Sequence, residues 1–229
     1  MQATFPTCIH DITTCAHDTT YGDVSIQLNH TDKGLFVEIE TMRLRILSVN
    51  TDKYESQLIA LYGDKEVNKL VGTGATLSAE LVSQKIQRWI NRWSAHNPFS
   101  GYVVLERDTG DFVGQIILKP VKDKSTKKLT FLPSIAEIGY LSIEKHWGKG
   151  YGKEFTHAIV NHLIPCLIKQ NFQVKDNSIK SLIATAGCNN PASNRILSTF
   201  LRFTHEKERY GSPRMWYQQD YKENGSFAV

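Results

Sequence analysis

Read from the amino end, the chain first shows order as an alternation. Val24, Ile26 and Leu28 alternate with polar residues, as do Leu35, Val37 and Ile39, and His30-Thr31-Asp32-Lys33-Gly34 between them has turn chemistry, which predicts a β-hairpin. Residues 1 to about 20 are rich in Thr, Asp and His without periodicity and read as a loosely packed lead. Arg43-Leu44-Arg45-Ile46-Leu47 continues strand structure after a bend near Glu40-Thr41. The period then changes. After Asn50-Thr51-Asp52, Tyr54, Leu58 and Leu61 fall on one side of a helix, and after Ser78 a stronger helix carries Leu81, Val82, Ile86, Trp89, Ile90 and Trp93 at three- and four-residue spacing. The tryptophans there read as core rather than as a ligand box.

Strand patterns return at Tyr102–Glu106, Phe112–Leu118 and Ile135–Ile143, the first two joined by Asp108-Thr109-Gly110-Asp111 as a hairpin. Lys119 to Lys128 between the second and third reads as a solvated, lysine-rich loop. A helix follows Gly152 through about Leu167, its buried stripe formed by Phe155, Ile159, Leu163 and Leu167, with a kink or an early end at Pro165. Asn171 to Lys180 reads as a polar connection. It leads to a strand at Ser181–Ala186, a helix from Pro191 to Leu201, and two strands around Tyr210-Gly211-Ser212-Pro213. No repeat or linker divides this series, which describes one α/β domain with an N-terminal extension.

Composition narrows the class without selecting a function. At 229 residues, 41% hydrophobic and 22% charged, the chain can bury a core, and it is neither disordered, collagenous nor a disulfide scaffold. It lacks an apolar run of membrane-spanning length and a secretory leader pattern, so a soluble, cytoplasmic protein without membrane contact is expected. Four scattered cysteines, with no metal spacing among them or the histidines, predict reduced thiols and no metal site. The net charge of +4 permits an anionic ligand but is too weak a bias for a nucleic-acid partner.

The chemistry concentrates in one stretch. Gly148, Gly150 and Gly152 sit between a strand and a helix, where backbone can approach a ligand closely and free N–H groups converge, as a phosphate or pyrophosphate requires. The stretch is neither a Walker loop nor a dinucleotide fingerprint. The alternative is a glycine turn needed only for packing.

Trp147-Gly148-Lys149-Gly150-Tyr151-Gly152, preceded by Ala136-Glu137-Ile138-Gly139-Tyr140-Leu141, resembles the acyl-CoA pyrophosphate loop of the GNAT acetyltransferase superfamily, and in particular the branch that acetylates ribosomal-protein N-termini. Thr41-Met42-Arg43-Leu44-Arg45-Ile46 is similar to that branch's opening strand, Thr109-Gly110-Asp111-Phe112-Val113-Gly114 to its central hairpin, and Asn190-Pro191-Ala192-Ser193 to its Asn-x-x-Ser helix start. The resemblance spans about Ile39 to Tyr221, which places an N-terminal extension at 1–38 and an acetyltransferase domain at 39–229. One departure is plain. Phe200-Leu201-Arg202-Phe203 lacks the glycine that commonly ends the last helix.

The resemblance implies a mixed α/β (α+β) fold, with a mostly antiparallel, twisted central sheet flanked by helices and extended by the N-terminal hairpin. It implies an N-acetyltransferase that uses acetyl-CoA as cosubstrate. The acceptor, a protein N-terminus or a small-molecule amine, would attack the thioester directly. Acyl-CoA would be held by Trp147, Gly148, Lys149, Gly150, Tyr151 and Gly152, by a backbone N–H among Leu141, Ser142 and Ile143, and by Asn190 and Ser193. Such a reaction needs a base for a largely protonated amine and a proton for the leaving thiolate. Glu137 is the candidate base and Ser193 the candidate acid. The alternatives are a Glu137 paired with a cation, an Asn190 that caps its helix, and, for the whole chain, a non-catalytic acyl-CoA-binding or protein-interaction module. Oligomeric state and acyl-chain preference are not specified by the sequence.

Overall fold

The predicted hairpin opens a much larger sheet. In a computed structural model that describes residues 10–14, 20–123 and 130–228, β2 (Ser25–Thr31) and β3 (Gly34–Glu40) pair antiparallel, and their inward residues Ile26, Leu28, Leu35, Val37 and Ile39 are buried. Gly34, at φ +123°, lets this turn lie against the end of the third helix, where a side chain would meet Ser94 Cα at 2.6 Å. The lead is not wholly irregular. A strand β1 (His10–Thr14) pairs antiparallel with β2 at the sheet edge, because an edge strand of exposed backbone accepts a partner without needing an apolar pattern.

From β3 the sheet continues through β4 (Leu44–Ser48), β5 (Gly101–Glu106), β6 (Phe112–Asp123), β7 (Thr130–Ser142), β10 (Ser181–Gly187), β12 (Ser212–Asp220) and β11 (Arg202–Arg209). All neighbours are antiparallel except β7 and β10, so the sheet is mixed and mostly antiparallel as expected. Asp108 to Asp111 does join β5 to β6, and Tyr210-Gly211, at φ +60° and +77°, forms the two-residue turn between β11 and β12.

Helices cover both faces. α1 (Glu55–Gly63), α2 (Lys65–Asn68) and α3 (Ala79–Ser94) pack Leu58, Leu61, Val82, Ile86 and Trp89 over Val103 and Leu141. α4 (Tyr151–His157), α5 (Ile164–Lys169) and the stretch between them pack Phe155, Ile159, Leu163 and Leu167 over Ile116, Leu118 and Ile138. The β2–β3 hairpin contributes to this second core, so residues from 24 onward share their packing with the rest of the chain.

Local departures from the sequence pattern have physical reasons. The short α2 forms because the Asp64 carboxylate accepts from the N–H groups of Glu66 and Val67. The helix does not end at Pro165. Its ladder widens to π-helical bonding over Ala158–Leu163, with the Ile164 N–H donating to the Ile159 carbonyl, and a proline is accommodated without a break. The expected lysine loop is strand over its first half: β6 runs to Asp123, placing Lys119 and Lys122 within the sheet, β7 starts at Thr130, and 124–129 lie outside the described residues. The polar connection after Asn171 folds into a two-stranded hairpin, β8 (Gln173–Val174) and β9 (Asn177–Ser178). α6 (Pro191–Phe200) needs no terminal glycine, because Leu201 is extended and the chain passes directly into β11.

Candidate active site

The site begins where the sheet parts. β7 and β10 are paired only at Ile135, Ala136 and Glu137, against Ser181, Leu182 and Ile183, although β7 runs on to Ser142 and β10 to Gly187. Beyond Glu137 the parallel strands diverge and leave an opening in the middle of the sheet. The Ile143 N–H donates to the Val113 carbonyl at 3.0 Å. Successive amides of a strand point to opposite edges, so those of Tyr140 and Ser142 turn toward the opening while that of Leu141 turns to β6. Gly139 directly precedes them, and a Cβ added to it would meet nothing within 4 Å.

At the end of β7 the chain enters the glycine turn. Gly148 and Gly150 adopt φ +75° and +83°, left-handed values that favour glycine, and between Trp147 and Lys153 no backbone N–H donates within the described chain. Those amides open toward solvent at the start of α4, where the helix dipole adds positive potential. Gly152 lets α4 lie against α6, since a Cβ there would stand 2.6 Å from Ile196 Cδ1. Trp147 is half exposed, and its indole N–H donates to the Ser142 carbonyl at 2.9 Å, which fixes the ring beside the opening.

A buried polar frame holds the turn in place. The Glu154 carboxylate accepts from the Thr41 hydroxyl at 2.6 Å, the Arg43 backbone N–H at 2.8 Å and the Arg43 Nε at 2.7 Å. Arg43 Nη1 donates to the Lys149 carbonyl at 2.9 Å, and its guanidinium stacks over the Tyr151 ring at 4.8 Å. The Tyr151 hydroxyl donates to Glu106 at 2.7 Å, a bond that lowers the Glu106 carboxyl below its usual range. His146, buried beside Glu106 and Lys149, is held below its ordinary value by burial.

On the α6 side, Asn190 caps the helix by accepting from the Ser193 N–H at 3.0 Å. The Ser193 hydroxyl is 2.9 Å from the Tyr140 hydroxyl, and burial pushes the Tyr140 phenol upward so that it keeps its proton. Cys188, half-buried, has its thiol pushed up by burial and by Glu206 and is not set up as a nucleophile.

Glu137 lies at the foot of the opening, 5% exposed. Arg209 reaches it from the β11–β12 hairpin and donates to both oxygens, at 2.8 and 3.0 Å, and Lys119 Nζ stands 3.4 Å away. A carboxylate has about four acceptor positions. Arg209 takes one position on each oxygen and the Lys119 ammonium stands beside Oε2, which leaves a position on Oε1 for a water or an amine.

The structure therefore brings Glu137, Ser142, the glycine turn, Asn190 and Ser193 around one opening, while Leu141 and Ile143 pack their side chains under α1–α3. Sequence reasoning did not find Arg209, Tyr140, Arg43 or Glu154 as parts of this site. Tyr140 was within reach, since it lies in the quoted strand and points to the Ser193 side by alternation. Among the described residues there is no cluster of side chains arranged to hold a metal, and no helix is long and apolar enough to cross a membrane.

This geometry has known counterparts. The family model described as the acetyltransferase (GNAT) domain matches residues 43–200, and the chain belongs to that family of acetyltransferases. It is 26% identical over 174 residues to the uncharacterized N-acetyltransferase YoaA of Bacillus subtilis (strain 168), covering 76% of this chain and 85% of that protein. It is also 26% identical over 83 residues to the uncharacterized protein YkkB of the same organism, spanning 34% of this chain and 44% of that protein. Among solved structures, the ribosomal L7/L12 alpha-N-protein acetyltransferase RimL in complex with coenzyme A superposes with a TM-score of 0.56 at 14% identity, covering 78% of this chain and 94% of that one. At that identity the likeness is one of fold.

Proposed function

We propose that this acetyltransferase moves an acetyl group from acetyl-CoA to a primary amine, by direct attack of the amine. The observation that carries the reading is the divergence of β7 from β10 directly before a turn with two left-handed glycines. An opening between parting strands, toward which the Tyr140 and Ser142 amides turn, suits an extended chain with amides of its own, and the turn beyond it suits a pyrophosphate. RimL, whose fold is shared, was solved with coenzyme A, which supports the same ligand here.

Acetyl-CoA would supply an activated thioester; the rest falls to the protein. The amides of residues 148–152, together with Lys149, would hold the phosphates, and Trp147 would flank them. The Ser142 N–H, turned into the opening, would receive the negative charge that develops on the thioester oxygen, a contribution of about 3 kcal/mol in comparable sites. Glu137, through its remaining acceptor position, would attract the amine and take its proton directly or through a water. Ser193 would protonate the leaving sulfur and recover its proton from solvent, its hydroxyl oriented by the Tyr140 hydroxyl at 2.9 Å. The RimL description names a protein amino terminus as acceptor, and we take that class, or a small amine of similar reach, as the acceptor here.

The test is thiol release with an amine panel. Glu137→Gln is expected to lower kcat by about 100-fold or more without abolishing acetyl-CoA binding. Unchanged turnover would move the base elsewhere. Binding of acetyl-CoA without transfer to any amine would favour a non-catalytic binding module.

A further inference from the structure

The face of the sheet that carries Glu137 is charged out of balance. Lys119 lies opposite Glu137 in the ladder, Arg209 is bidentate on it, and Arg214 stands on the same face of β12, across from Gly187 at the end of β10. One carboxylate thus faces three cations. Arg209 has its counter-ion and Lys119 shares it.

Arg214 does not. It is 6% exposed, and its hydrogen bonds go to the Thr185 hydroxyl from Nε at 3.2 Å and to the Thr185 carbonyl from Nη2 at 3.1 Å, both neutral acceptors. Among the described residues no carboxylate comes within ion-pairing distance of it, and Lys207, its cross-strand neighbour on β11, is a further cation. The charges of both Arg209 and Glu137 act on Arg214, which places the three groups in one electrostatic neighbourhood. The Tyr210 ring lies between the two guanidiniums, 4.8 Å from Arg209 and 5.5 Å from Arg214.

A buried cation without an anion is costly, and buried charges are as a rule paired, so an arriving anion would relieve this one. The guanidinium edge left over after Thr185 is the kind that takes a carboxylate in a planar, two-point contact. The open space over Gly139, on the face shared with Glu137 and Leu141, is room for the molecule that bears it.

We propose that the acceptor is an anionic amine, one carrying a carboxylate near the amino group to be acetylated, and that Arg214 is the residue that selects it. The inference rests on the acetyltransferase reading above. Glu137 draws the amino end, Arg214 the carboxylate, and the two charges of the acceptor are oriented by their opposites.

The experiment uses the full chain and two isosteric acceptors with the same amine, the dipeptide amides Ala-Asp-NH2 and Ala-Asn-NH2. Wild type is expected to favour the aspartyl compound by about tenfold in kcat/KM, the scale of one hydrogen-bonded charge contact. Arg214→Gln collapses that ratio toward one, chiefly through KM, and Arg214→Lys restores part of it. A purely structural Arg214 would lower both rates alike and leave the ratio standing, which would overturn the assignment. So would equal wild-type rates, or turnover of neutral amines alone. Tight acetyl-CoA binding with transfer to neither dipeptide would overturn the acceptor class, whereas absence of acetyl-CoA binding would overturn the acetyltransferase reading beneath it.

Discussion

Removing the Glu154 carboxylate tests whether the glycine turn is held from below. Glu154 is 3% exposed and gathers the Thr41 hydroxyl, the Arg43 backbone N–H and the Arg43 guanidinium, whose Nη2 lies 2.6 Å away. Truncation to Ala strands all of these donors. Breaking a buried ion pair by deleting one partner costs about 3–5 kcal/mol. The Arg43 side chain is 45% exposed and can rehydrate, so the lower end, about 3 kcal/mol, applies. In a domain of this size each kcal/mol moves Tm by about 2–4 °C, giving a fall of about 6–12 °C by circular dichroism. Glu154→Gln keeps the shape and one acceptor oxygen and is expected to lose about half as much. The functional effect is separable. Arg43 Nη1 anchors the Lys149 carbonyl, so a freed Arg43 loosens the turn, and KM for acetyl-CoA should rise more than kcat falls. A Tm change under about 2 °C for Glu154→Ala, or a KM for acetyl-CoA unchanged in both variants, would refute the reasoning.

Two further outcomes follow from the same structure. Gly114→Ala drives its methyl group into the Leu141 carbonyl oxygen and to 2.8 Å from Ser142 Cα, a backbone clash between β6 and β7 that should cost about 3 kcal/mol and is read from a urea midpoint; a midpoint like that of wild type would show that the strands can part there. His146 is held below its ordinary 6.5 by burial, with Lys149 adding to the effect and Glu106 opposing it, so just below pH 6.5 the unfolded chain binds a proton that the folded chain refuses. Stability is therefore lost as pH falls from 6.5 toward the lowered value, and His146→Asn should flatten that part of the Tm profile; an unaltered slope would assign the acid sensitivity to other groups.

The sequence made local pattern legible and left long-range pairing hidden. Alternation marked β2, β3, β5 and β6, and four-residue spacing marked α3 and the helix after Gly152, because burial of one face is written into the chain at short range. Asn190 as a cap belongs to the same class. The β8–β9 hairpin escaped notice because Lys175-Asp176, at φ +51° and +64°, is an uncommon pair for such a turn. The widened turn before Pro165 depends on which backbone carbonyl the next N–H finds, and side-chain pattern does not encode that choice. Arg209 and Glu137 are 72 residues apart, and Arg43 and Glu154 are 111 apart. Charged residues at such separations meet only through strand order. Arg209 carries no short-range signal of its own; the order β7, β10, β12, β11 brings it to Glu137.

The three residue pairs between β7 and β10 also bear on mechanics. Two half-sheets, β1–β7 and β10–β12, meet along a seam far shorter than either strand that forms it. A ligand lying in that seam with amides of its own would act as a further rung between them, and occupancy would couple two halves that pair with each other, on the β7 side, only at Ile135, Ala136 and Glu137. The amides of Tyr140 and Ser142, already turned toward the gap, would then slow in hydrogen exchange together, so the sheet itself would register whether the site is filled.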